Sequence, residues 1–368
     1  MADKLQTLIL ALSLVWLLVV FNWSKMSGIT MLNGGPVFSS GWGTSHDSRR
    51  YFTILQSLQN QKFDFDWLKN TLLATTGIPA PKDGKIYDFM IFQRPFYILL
   101  SFITYSIYPS SYSPIAISVL SAILLPLVVF RLSQEFGFNK ETAALASGAI
   151  IFSTPFAVYS FHFLTDMPAL LFAFLTVLFW RLYETGKTSQ LAFDIVASLA
   201  MLIRESNVII FIAILISEFR RDKKLRQHIL PSAILIYFTI LMSLIYFVYT
   251  PTTTAEKLGL FTRLLFMLKL FPVAFSTLLF PTIIGLDQKS LFSSFSKDLI
   301  LLNSALFAAI ATADVRFWYT SFPAILYLAM KGLEKLKLTD GEKLAYISVL
   351  VLADAHFSGL QLVLRHLI

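Results

Sequence analysis

Few residues in this chain have the chemistry to act on a substrate, and they gather at the borders of long apolar runs. The first group is "SHDSRRYF", Ser45 to Phe52, which sets His46, Asp47, Arg49 and Arg50 close together. A carboxylate such as Asp47 can take a proton from an attacking hydroxyl while a bond to a leaving group breaks. Asp47 or Ser48 can equally cap the amphipathic helix that Tyr51, Ile54, Leu55 and Leu58 mark out at helical spacing. Asp166 follows His162 in "FHFLTDMP" and precedes Pro168 and an apolar run, which is the signature of a helix start. Its carboxylate can cap that helix, orient an acceptor or hold a metal. In "LIRESN", Arg204 and Glu205 fill a very short turn between two apolar runs. Charges at that depth are costly, so either the neighbours satisfy each other or the guanidinium serves a phosphate. Arg316, ahead of "FWYTSFPAILYLAM", and Arg94, in "FQRPFY", are further cations of this kind.

The elements that must position these groups follow from composition. Of 368 residues, 56% are hydrophobic and only 14% charged, where a soluble domain carries about 25% charged residues. Mean hydropathy is +0.68. Apolar runs of spanning length occur near residues 5–23, 111–131, 142–160, 167–183, 189–203, 206–219, 229–250, 264–286, 298–313, 317–334 and 344–364. They predict an all-α polytopic membrane protein with about eleven transmembrane helices. Residues 1–368 read as a single transmembrane domain, in which 24–110 form a long outer loop carrying amphipathic or interfacial helices and 111–368 the remaining bundle. The first run lacks a small-residue cleavage site and reads as a retained anchor.

The chain has no cysteine, which excludes disulfides, thiolate metal sites and a cysteine nucleophile. Its five histidines form no pair at metal-binding spacing. The net charge of +8 is carried mainly between apolar runs, which points to membrane topology and lipid headgroups rather than nucleic acid.

Charge also orients the bundle. "RPFYILLSFITYSIYP", Arg94 to Pro109, is short for a span. If it does not cross and the N-terminus is cytoplasmic, sixteen of the thirty lysines and arginines fall in cytoplasmic loops, and six in short outer segments. If it does cross, the bias reverses. The segment therefore reads as a re-entrant or interfacial helix on the outer face of a cell membrane. Asp47, His162, Asp166, Arg204, Glu205 and Arg316 then all fall on that outer face.

Taken in order, "HDSRRY", "QRPFYILLS", "FLTDMPALLFAFLTVLFWRLYE", "LIRESNVIIFIAILISEF" and "DVRFWYTSFPAILYLAMKGLEKL" resemble the motifs of the GT-C superfamily of membrane glycosyltransferases, such as protein O-mannosyltransferases and the lipid A aminoarabinose transferase. The resemblance implies transfer of a sugar, with inversion, from a polyprenyl-phosphate-linked donor to a hydroxyl acceptor (lipid, glycan or protein). It implies Asp47 as general base and Asp166 as the second acid, with Arg204 and Arg316 toward the leaving phosphate. His46, Arg49, Tyr51, Arg94, His162 and Glu205 complete the expected substrate-binding set. Many relatives carry two adjacent acids where this chain has His46 and Asp47, so a divalent metal is left open and no ligand set is assigned. A lipid or small-molecule transporter and a non-catalytic membrane scaffold are the alternatives. The transporter would call for repeat symmetry, of which the sequence shows none.

Overall fold

Long apolar runs leave the backbone no hydrogen-bond partner but itself within a bilayer, and helices result. The computed structural model describes residues 2–27, 93–109, 113–153, 164–222, 227–248, 278–310 and 315–339, with scattered positions among 51–59, 156–160 and 342–349. No strand occurs among them. The described α-helices are α1 (Ala2–Ser27), α2 (Pro95–Ile107), α3 (Ile115–Glu135), α4 (Lys140–Ile151), α5 (Asp166–Glu184), α6 (Gln190–Ile203), α7 (Val208–Asp222), α8 (Ile229–Val248), α9 (Leu279–Gly285), α10 (Leu291–Ile310) and α11 (Phe322–Leu336). Two 3-10 helices, η1 (Glu205–Asn207) and η2 (Val315–Ser321), lead into α7 and α11.

Helix α5 is central. It packs along α3 and α6 and also touches α7, α11 and η2. Met167, Leu170, Leu171, Phe174, Val177 and Trp180 bury its inner face. Helices α3 and α5 both end on a left-handed glycine. Gly137 (φ 84°) and Gly186 (φ 69°) turn the chain so that Phe138 N–H reaches Ser133 O at 3.1 Å and Lys187 N–H reaches Leu182 O at 2.8 Å. These bonds satisfy carbonyls that a helix end leaves orphaned.

Among the described residues, α3 and α5 are long and apolar enough to cross a bilayer, with mean hydropathies of 2.4 and 1.4. Helix α2 has 13 residues, about 20 Å at 1.5 Å per residue, too short for a hydrocarbon core of about 30 Å. It buries Tyr97, Ile98, Ser101 and Tyr105 and turns Leu99, Ile103 and Ile107 outward. The run expected over 142–160 is shorter as helix: α4 stops at Ile151, where Phe152 N–H closes on Gly148 O at 3.0 Å. The runs expected over 264–286 and 344–364 lie largely outside the described residues.

Helices α9 and α11 cross with their backbones in contact. A Cβ added at Gly285 would collide with the Leu328 carbonyl, and one at Gly332 with the Pro281 carbonyl. Small residues permit such an approach, and in lipid close packing is the main attraction between helices. Gly285→Val or Gly332→Val forces the helices apart. Each is expected to cost about 1–3 kcal/mol, the range for overpacking a tight contact. Thermal unfolding in detergent checks this, and an unchanged midpoint would refute it.

At the end of the bundle where α5 finishes, His228 lies fully buried just before α8. Its Nδ1 is 2.7 Å from Asp194 Oδ1 on α6, and its Nε2 is 3.0 Å from Glu218 Oε2 on α7. Trp180 Nε1 donates to the other Glu218 oxygen at 3.2 Å, and the rings of Tyr183, Phe193 and Phe211 surround the imidazole. A neutral imidazole has one donor, so only the protonated ring satisfies both carboxylates. Burial opposes that charge, but Glu218 and Asp194 outweigh it and hold the ring's pKa above its ordinary 6.5. The carboxylates lie on opposite sides of the ring and do not converge as metal ligands. A raised folded-state pKa means that the stabilisation is complete below the unfolded value and lost as pH rises through the folded one. Wild-type thermal stability should therefore fall on going from neutral to alkaline pH, and His228→Leu should lack that component. Parallel pH profiles for the two proteins would refute the assignment.

Candidate active site at one end of the bundle

The opposite end of α5 collects polar residues from distant parts of the chain. Asp166 is the first residue of α5, following Thr165, and not the capping residue before it. A carboxylate in the first turn also faces the positive end of the helix dipole. Helix α6 ends at Ile203, and Arg204 leaves it in an extended conformation (φ −153°, ψ 125°) that swings its side chain back toward α5. Arg204 Nη1 donates to Asp166 Oδ1, and the two side chains are only 7% and 2% exposed.

Glu205 takes a different partner. Arg94 donates to it twice, from Nε and from Nη2, each at 3.0 Å. The same guanidinium donates from Nη1 to the Tyr51 hydroxyl. Tyr51 is wholly buried and packs edge-on against Tyr97, with ring centroids 5.1 Å apart. Burial alone would raise the Glu205 carboxyl, but the adjacent Arg94 holds it below its ordinary value. Burial likewise opposes the Arg94 charge, and Glu205 and Tyr51 outweigh it. The neighbours Arg204 and Glu205, expected to satisfy each other or serve a phosphate, each hold a partner from another element. Those partners lie 38 and 111 residues away in sequence.

A cavity of about 10 Å³ lies against the pair, lined by Asp166, Arg204, Asn207, Tyr319 and Thr320 among others. It has room for about one water. Ser206 and Thr320 join η1 to η2 through a 3.2 Å hydroxyl contact. Arg316 lies on η2, three residues before Tyr319 in sequence. A second cavity of about 490 Å³, between α1, α4 and α11, is lined by none of these residues. Size alone therefore does not mark the site.

The structure thus brings together Tyr51, Arg94, Asp166, Arg204 and Glu205 from four separate segments. His46, Asp47, Arg49 and His162 lie outside the described residues, as does the side chain of Arg316. Among the described residues no group of histidine, aspartate and glutamate side chains could hold a metal ion. Two participants were not singled out from sequence. Tyr97 sits inside the quoted "QRPFYILLS", and Asn207 ends "RESN", two residues past Glu205. The signal for Asn207 was an amide held next to charges in an apolar context.

Residues 95–250 match the family described as dolichyl-phosphate-mannose-protein mannosyltransferase, a stretch that contains Asp166, Arg204 and Glu205. Over that stretch, a little over two fifths of the chain, it is similar to this GT-C-like family. No curated protein sequence matches it. The family is one of membrane-integral glycosyltransferases, which agrees with the all-helical fold and the two span-length helices.

The Arg94–Glu205 pair supplies a stability test. Glu205→Gln leaves a buried guanidinium without its counter-charge, at an expected cost of about 3–5 kcal/mol. Arg94→Met combined with Glu205→Leu removes both charges and should cost much less than the two single changes added together. Strictly additive losses in denaturant unfolding would show that the two residues do not act as a pair.

Proposed function

We propose that the chain transfers a sugar from a polyprenyl-phosphate-linked donor to a hydroxyl acceptor at the outer face of a cell membrane, with inversion. The observation that supports this reading most is the convergence of Asp166, Arg204, Glu205, Arg94 and Tyr51 at one end of the bundle, within a chain similar to a glycosyltransferase family. Helix α5 has 19 residues, so this end lies about 28 Å from the end that holds His228. One polar face therefore carries the candidate chemistry.

In the proposed reaction the donor's tail stays in lipid and its phosphate and sugar reach the cluster. Asp47 takes the proton from the acceptor hydroxyl. The hydroxyl oxygen attacks the anomeric carbon as that carbon's bond to the phosphate oxygen breaks, and the phosphate departs with the electron pair. The products are the glycoside and the lipid phosphate. A hydroxyl is too weak an acid to ionise beforehand, so proton removal accompanies attack. Arg204, with Arg316 beside it in this reading, faces the charge that grows on the departing phosphate. Asp166 keeps Arg204 aimed and offers a carboxylate oxygen to the acceptor or sugar. Glu205 and Tyr51 hold Arg94 so that residue 51, four positions after Asp47 in sequence, is fastened to the start of α2. No step needs a metal.

Asp47→Asn is expected to reduce transfer from a polyprenyl-phosphate-linked mannose donor by about 10²–10⁴-fold, the contribution of a positioned general base. Full retained activity in a folded Asp47→Asn protein would remove Asp47 from this role.

A further inference from the structure

We propose that Asn207 is a positioning residue that sets Arg204 against Asp166 and thereby aims Arg204 at the donor phosphate. The proposal rests on the phosphate role of Arg204 given above. Asn207 is 2% exposed and ends the 3-10 turn η1, three residues after Arg204. Its side-chain nitrogen donates to Ala169 O at 3.2 Å and to Ala200 O at 3.1 Å. Two carbonyl acceptors on the same side fix the amide's orientation, because only the NH2 group can face them.

The two acceptors are what make the contact informative. Ala169 lies in the first turn of α5, three residues after Asp166, and its own N–H is bonded to Thr165 O at 2.8 Å. Ala200 lies in the last turn of α6, and its carbonyl also accepts the backbone N–H of Arg204 at 3.2 Å. Asn207 N–H in turn bonds to Arg204 O at 3.0 Å. One residue therefore ties together the helix start that carries Asp166, the helix end that releases Arg204, and the backbone of Arg204 itself. The amide stands between two helices where each carbonyl retains a second acceptor site. Removing it leaves the helices folded but frees their relative register. A guanidinium recognises phosphate oxygens through donors in a fixed fork, so a small change of register disturbs recognition more than stability.

The test uses purified full-length protein in lipid nanodiscs, with dolichyl phosphate as the probe. Its dissociation constant is measured for the folded fraction alongside the thermal midpoint. Asn207→Ala removes both donors and is expected to weaken binding about tenfold, as for a misaligned charge-assisted bond. Asn207→Ser keeps one donor and should fall between Ala and the wild type. Asn207→Ala that binds as tightly as wild type, or a lower midpoint with unchanged affinity in the folded fraction, would overturn the positioning role while leaving the transferase reading intact. Wild-type protein that does not bind dolichyl phosphate would overturn the phosphate role of Arg204 and this inference with it.

Discussion

A charge removed from water must find an opposite charge, and at one end of this bundle two guanidiniums do so. Arg204 holds Asp166, and Arg94 holds Glu205 and Tyr51. In a medium of low dielectric such pairs cost much to bury and more to break. The consequence is geometric. The starts of α2 and α5, the end of α6 and the helical turn at residue 51 cannot shift independently, because each carries one member of a pair. The packing of α5 between α3 and α6 supplies cohesion, and the charge pairs fix where the helix ends meet.

Apart from the buried His228 and its two carboxylates, the far end of α5 handles charge differently. Glu135 is buried, but its partners Arg131 and Lys187 are each about half exposed, and Arg220 reaches Asp298 from a similarly exposed position. Pairs with one solvated member contribute little and are easily exchanged. The guanidiniums at the near end are themselves buried. Buried, oriented cations are what a reaction that builds charge on a phosphate requires, and solvated lysines are what a headgroup-facing surface requires. The contrast between the two ends follows the division that the sequence shows between unusual polar residues on one side and basic turn residues on the other.

Helix positions were legible because apolar run length is a direct record of burial in lipid: α1, α3, α5, α6 and α8 fall where the runs predict. The short run from Arg94 to Pro109 was ambiguous by length, and the charge bias read it as a helix that does not cross; the helix there has 13 residues. The helical face of Tyr51, Ile54 and Leu55 was legible from spacing, and all three are buried. Pairing was not legible. Arg204 and Glu205 are adjacent, and adjacency suggested a local pair, yet packing gives each a partner from another segment. Asp166 had the pattern of a cap because Pro168 follows it, but the helix begins one residue earlier than a cap would require. His228 and the close approach of α9 and α11 at Gly285 and Gly332 left no periodic trace, since each depends on which helices lie side by side.

The Asp166–Arg204 pair also bears on how the proposed reaction would gain rate. An arginine with no counter-ion would bind a lipid-linked phosphate strongly in the ground state, and interactions equally strong in ground and transition states do not raise turnover. Arg204 is already partnered, so the single charge of the donor's phosphodiester meets a pair that is close to neutral. As the bond to the anomeric carbon breaks, negative charge accumulates on the departing phosphate oxygen, and the guanidinium's pull on it grows. The pairing moderates the pull on the donor in its ground state, and the net attraction that remains grows as charge accumulates on the departing oxygen. The same arrangement favours release of the lipid phosphate, because Asp166 remains beside Arg204 to take its place.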